Sequence, residues 1–100
     1  MILDRFRLDG KIAVVTGAGK GIGAGTARAL AEAGADVVCA ARTPADIEAV
    51  ADEVRALGRR ALAVPTDVTD PEQRARLIAR TVEEFGRLDV LVNKIGRAHV

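Results

Sequence analysis

The 100-residue sequence has no tryptophan and no tyrosine, and only one cysteine, one histidine and two phenylalanines. A single cysteine, Cys39, closes no internal disulfide and anchors no thiolate metal cluster, so it reads as a small buried strand residue. The one histidine, His99, stands near the terminus without a partner acid nearby, so no histidine-based catalytic or metal set is expected. An excess of charge of one sign is missing too. Lys and Arg number 15 against 14 Asp and Glu, and the two signs are interleaved. That argues against a basic nucleic-acid face or a polybasic membrane anchor. No run is long and apolar enough to span a bilayer. Residues 1–10 mix charges into their apolar positions and lack the continuous core of a signal peptide, so a cytoplasmic location is expected.

What the chain has is aliphatic. Apolar residues make up 49% of it, nearly all Ala, Val, Leu and Ile, which is enough for a core and argues against disorder. The length fits one domain or part of one. Ile12–Thr16 is a short continuous apolar run, as expected for a strand buried on both faces. After a glycine cluster, Ile22, Thr26, Ala29, Leu30 and Ala33 recur at helical spacing, with Gly34 as a left-handed cap. Residues 37–41 are a second expected strand. Thr43 is the expected N-cap of the next helix, Pro44 its first residue, and Asp46 the acid three residues after the cap. Ile47, Val50, Ala51, Val54 and Leu57 form its apolar stripe, and Gly58 closes it. Residues 60–65 are a third strand. Asp70, Pro71 and Gln73 then repeat the cap-and-proline pattern as a capping box. Ile78, Thr81, Val82 and Phe85 line that helix, Gly86 ends it, and residues 88–93 are a fourth strand. The order β-α-β-α-β-α-β with buried strands predicts a parallel sheet with right-handed crossovers, a doubly wound α/β fold of Rossmann type.

Between the first strand and the first helix runs Thr16-Gly17-Ala18-Gly19-Lys20-Gly21-Ile22-Gly23. Open parallel sheets bind ligands beyond the carboxyl ends of their strands, where this turn lies. Glycine lets the backbone turn sharply and approach a pyrophosphate with no Cβ in the way. The N–H groups that open the helix then favour negative charge. A glycine-rich turn alone is weak, but a strand before it and a helix after it supply the needed context. A Walker-type phosphate loop is excluded, because Lys20 is followed by Gly21 rather than Ser or Thr.

This Thr-Gly-x-x-x-Gly-x-Gly turn resembles the signature of the short-chain dehydrogenase/reductase family, with a spacing distinct from the standard dinucleotide fingerprint. The resemblance runs from about Leu8 to Asn93 and takes in Asp67-Val68 after the third strand and residues 88–93 in the fourth. It implies a cofactor-binding set of Thr16, Gly17, Gly19, Lys20, Gly21, Ile22, Gly23, Arg42, Asp67, Val68 and Asn93. Within that set it implies that Asp67 holds the adenine amino group through its side chain and that Val68 contacts the ring. An acid at the end of the second strand would accept hydrogen bonds from the adenosine ribose and select NAD. Here Ala41 stands in that place and Arg42 follows it, while Asp36 is at the wrong end of the strand. A guanidinium takes a phosphate bidentately, and the resemblance places Lys20 on the other side of the same phosphate. Either base alone would read as a solvated surface residue. Together, with the acid missing, they point to NADP(H) over NAD(H).

The family's catalytic set is a tyrosine with a lysine four residues on and a serine that polarises the substrate. All of it lies beyond the fourth strand, and this chain has no tyrosine. The chain is therefore expected to be an inactive cofactor-binding fragment, truncated after about four strands, of an oxidoreductase interconverting alcohols and carbonyls. The parent is expected to be a homo-oligomer acting on a small molecule, with no nucleic-acid or membrane partner. Asn93 is followed by Lys94 and then Ile-Gly-Arg-Ala-His-Val, where the family continues Asn-Ala-Gly. ATC GGA AGA GCA CAC GTC encodes those six residues and looks like a sequencing-library adapter. Residues 1–93 are thus expected to be the native half-domain and residues 94–100 a non-native tail. The competing reading is a stand-alone nucleotide-binding or regulatory module without catalysis. In-frame continuation of the gene to a Ser…Tyr-x-x-x-Lys arrangement separates the two.

Overall fold

A computed structural model describes residues 7–93; the tail expected at 94–100 lies outside the described residues. The elements are β1 (Ile12–Thr16), α1 (Gly21–Glu32), β2 (Asp36–Ala41), α2 (Pro44–Ala56), β3 (Ala61–Pro65), α3 (Pro71–Phe85) and β4 (Val90–Val92). The strands make one sheet in the order β3-β2-β1-β4. Every pairing is parallel, with Ile12 opposite Asp36, Val37 opposite Ala61, and Ala13 opposite Val90. This is the expected α/β sheet of Rossmann type. The third and fourth strands are shorter than the apolar runs indicated.

β1 is buried along its whole length because it lies at the sheet interior with both faces covered. On one face α1 and α2 pack Ala24, Ala27, Ala31, Ile47, Val50 and Val54 against Val15, Val37 and Cys39. On the other, α3 packs Leu77 against Val14, Val38 and Ala40, with Leu62, Val64, Phe85 and Leu88 partly buried around them. Helices on both faces make the sheet doubly wound. No described helix is long and apolar enough to cross a membrane.

Two helix faces differ from expectation. α1 buries Gly23, Ala24, Ala27 and Ala31 rather than the stripe through Ile22, and Ile22 is 73% exposed. Its first turn is seated on the Gly17 carbonyl at Gly23, and its buried face is drawn from the smallest residues, while Leu30 of the expected stripe packs partly buried against the same cluster. α3 buries Leu77 and Thr81, while Val82 is 46% exposed. The stripe of α2 holds at Ile47, Val50, Ala51 and Val54 and fails only at Leu57, past the helix end. Gly34, Gly58 and Gly86 all follow helices with positive φ, as left-handed caps require.

Candidate functional site

The chain leaves β1 into a turn that only glycine can build. Gly17 and Gly21 take φ of +64° and +56°, values that L side chains rarely adopt. Ala18 N donates to the Ala40 carbonyl at 3.1 Å, which ties the turn to the neighbouring strand. Gly23, in the first turn of α1, lies directly on the Gly17 carbonyl: a Cβ there would sit 1.9 Å from its oxygen. The N-cap position holds Lys20, whose side chain makes no capping bond, and no acid occupies the first helical turn. The entrance of α1 therefore keeps its affinity for negative charge.

Beside this turn a cleft of about 470 Å³ opens across the carboxyl ends of β2 and β3. It gathers Gly17, Gly19, Lys20, Arg42, Asp67 and Val68 from the expected set, together with Ala41, Thr43, Asp46, Thr66 and Thr69. Asp67 begins the loop after β3, and its Oδ1 accepts from Thr69 Oγ1 at 2.6 Å and Thr69 N at 3.0 Å. The Thr69 hydroxyl, its amide and the nearby Arg42 guanidinium hold the Asp67 carboxyl below its ordinary value.

That loop is pinned from below. Asp70 accepts from Glu72 N at 2.9 Å as the N-cap of α3. Gln73 does not complete the expected box, because its Oε1 accepts from Asp67 N at 2.7 Å while its amide donates to Asp70 Oδ2 at 3.2 Å. Asp70 N instead donates to the Asp67 carbonyl, so the glutamine reaches one turn further and braces the cleft. Thr43 stands at the N-cap of α2 with extended backbone, but its side chain makes no capping bond.

The remaining expected residues lie elsewhere around the turn. Thr16 Oγ1 donates to Asn93 Oδ1 at 3.0 Å, joining the carboxyl ends of β1 and β4 where the strand order reverses. Both line a separate cleft of about 450 Å³ against α3. Gly21, Ile22 and Gly23 open α1 at the edge of the turn. Asp46 was not foreseen as a cleft residue. Its signal was an acid in the first turn of a helix that starts three residues after a strand whose end faces the site. Lys20 Nζ stands 3.7 Å from Asp46 Oδ2. The cleft thus balances two cations with two carboxylates. Cys39 is fully buried in β2, and burial pushes its thiol up to about 11, so it stays neutral and unreactive at physiological pH. Among the described residues no group of His, Cys, Asp and Glu could hold a metal ion.

Comparison with known proteins agrees with this fold. The short chain dehydrogenase profile matches residues 11–100. An uncharacterized oxidoreductase of Mycobacterium tuberculosis is 53% identical over 96% of this chain and 36% of its own length. The crystal structure of a hydroxysteroid dehydrogenase from Escherichia coli superposes with a TM-score of 0.90 at 39% identity, over 94% of this chain and 40% of that one. A 7α-hydroxysteroid dehydrogenase solved with NADH and 7-oxo glycochenodeoxycholic acid gives 0.87 at 40% identity, over 90% of this chain and 35% of that one. The chain thus spans little more than a third of the length of these relatives. With a match over most of its length and the same sheet, this chain belongs to the short-chain dehydrogenase family, whose members bind a nicotinamide dinucleotide.

Proposed function

We propose that the chain is the cofactor-binding portion of an oxidoreductase that prefers NADP(H) and interconverts small-molecule alcohols and carbonyls. The observation that carries this reading is the end of β2. Ala41 offers no carboxylate to the ribose hydroxyls, Arg42 follows it, and Lys20 faces it from the glycine turn across one cleft. The residues fit a dinucleotide. Gly17, Gly19 and Gly21 leave room for backbone to approach a pyrophosphate, and the uncapped start of α1 complements its charge. Arg42 and Lys20 supply two cations for a 2′-phosphate dianion. Asp67, held ionised, can accept from the adenine amino group, and Val68 can lie against the ring.

When bound, the nicotinamide supplies hydride: NADPH and a proton convert a carbonyl to an alcohol, leaving NADP⁺. The residues of this chain bind and orient the cofactor. The proton donor belongs to the remainder of the longer protein, which we read as a cytoplasmic homo-oligomer.

Titrating the chain with NADPH and NADH tests the reading. Arg42→Asp replaces a charge-assisted phosphate contact with a repelling carboxylate. It should weaken NADPH binding by about 30-fold, roughly 2 kcal/mol, and leave NADH unchanged or tighter. Equal effects on both cofactors, or none, would remove Arg42 as a phosphate ligand and with it the preference for NADP(H).

A further inference from the structure

We propose that Asp46 is a specificity-determining residue of the cofactor cleft, one whose carboxylate opposes the 2′-phosphate and limits how strongly the site prefers NADPH over NADH. This rests on the reading of the cleft given above. Asp46 lies in the first turn of α2 and lines the cleft with Lys20 and Arg42. It is packed against the middle of the glycine turn. A Cβ placed on Gly19 would come within 2.8 Å of Asp46 Cβ and 3.8 Å of Ala41 Cβ. Asp46 therefore stands beside Ala41, where the family's ribose-binding acid is missing, but on the following helix instead of on the strand.

Its charge acts on the cation meant for the phosphate. The Asp46 side chain is 30% exposed and the Lys20 side chain 83% exposed, at 3.7 Å separation. The carboxylate is the better fixed partner, and the lysine is the one that must leave it to meet a ligand. An entering dianion thus competes with Asp46 for Lys20 and is itself repelled by it. NADH brings no charge to this spot and meets neither penalty. Arg42 and Lys20 oppose Asp46 and Asp67 within the cleft, so the site holds no excess of positive charge. That balance predicts a moderate NADPH preference rather than an exclusive one.

A purely structural role for Asp46 is the rival account, because an acid in a first helical turn complements the helix dipole. The two differ in what they move. We expect Asp46→Asn, which keeps the shape and removes the charge, to tighten NADPH binding about tenfold, with NADH changed by less than about twofold. The gain should shrink in about 1 M salt, where screening reaches about 3 Å. Asp46→Ser, also tolerated at a helix start, should shift the NADPH to NADH ratio the same way. Fluorescence titration gives both dissociation constants, and a thermal melt of each variant checks the fold. A ratio that is unchanged, or moves toward NADH, in the folded variants overturns the proposal. If Arg42→Asp collapses the ratio and Asp46→Asn leaves it alone, only the role of Asp46 falls. If Arg42→Asp has no effect on the ratio, or wild type that melts as a folded monomer binds neither cofactor, the underlying reading falls with it.

Discussion

Gly23 and Gly25 are both helical glycines of α1, two residues apart, yet they meet different surroundings. A Cβ on Gly23 would lie 1.9 Å from Gly17 O and 2.6 Å from Gly17 C, both backbone atoms with no rotamer to move. A Cβ on Gly25 would meet nothing within 4 Å. Alanine ordinarily stabilises a helix by about 0.5–1 kcal/mol over glycine, because the unfolded chain loses freedom. Gly25→Ala should therefore raise stability by about that amount. Gly23→Ala should lower it by about 2–4 kcal/mol, since the helix must lift off the turn. Urea unfolding of the two variants checks both signs. If Gly23→Ala proved neutral, the close seating of α1 on the turn would not be the native arrangement.

Carboxylates tie neighbouring elements together at the amino ends of the strands. Asp36 accepts from Arg60 N at 2.8 Å and Arg60 Nε at 2.9 Å, joining β2 to the start of β3. Asp89 does the same for β4: its Oδ2 accepts from Ile12 N at 2.9 Å and its Oδ1 from Arg87 Nη2 at 2.6 Å. Chiefly the Arg87 bond, and then the Ile12 amide, hold the Asp89 carboxyl below its ordinary value. A lowered folded value means that the stabilisation is complete above the unfolded value, about 3.9, and is lost as pH falls below it through the folded value. Asp89→Asn should thus lower Tm by a few degrees near neutral pH, and the gap to wild type should close below about pH 4. A gap that stays constant into acid would mean that the side chain acts by shape alone. These ties were hidden in the sequence, since each joins residues that only the sheet brings together. The strands themselves were legible. Ile12–Thr16 is a continuous apolar run because both of its faces are covered, and the stripe of α2 shows because it packs with large side chains. The face of α1 was misread because apolar periodicity weights bulky residues, whereas close packing on the turn selects Gly23, Ala24, Ala27 and Ala31. Asp46 was legible as a helix-start acid but not as a cleft residue, for that needs the end of β2 and the start of α2 seen against Gly19.

Over the whole molecule the covering of the sheet is uneven. Among the described residues α1 and α2 shield one face and α3 alone stands on the other, where Leu62, Val64, Phe85 and Leu88 are only partly buried. The outer strand β4 pairs with β1 on one side, and its Leu91 is 53% exposed on the face that Val14 shares with α3. A short strand with an apolar side chain at a sheet edge presents open backbone groups to any second strand. A chain of this length also buries proportionately less of its surface than a domain of the size its relatives have. As an isolated polypeptide of 100 residues it should therefore be marginally stable and self-associate through the β4 edge. Sedimentation velocity should show mass rising with concentration. Leu91→Lys should reduce that association, because a charge on an edge strand must be desolvated when a second strand pairs with it. Thermal unfolding should be less cooperative, with a lower midpoint, than that of a relative with the complete sheet. A concentration-independent monomer with a cooperative melt well above ambient would show that α3 and β4 close the sheet without further chain.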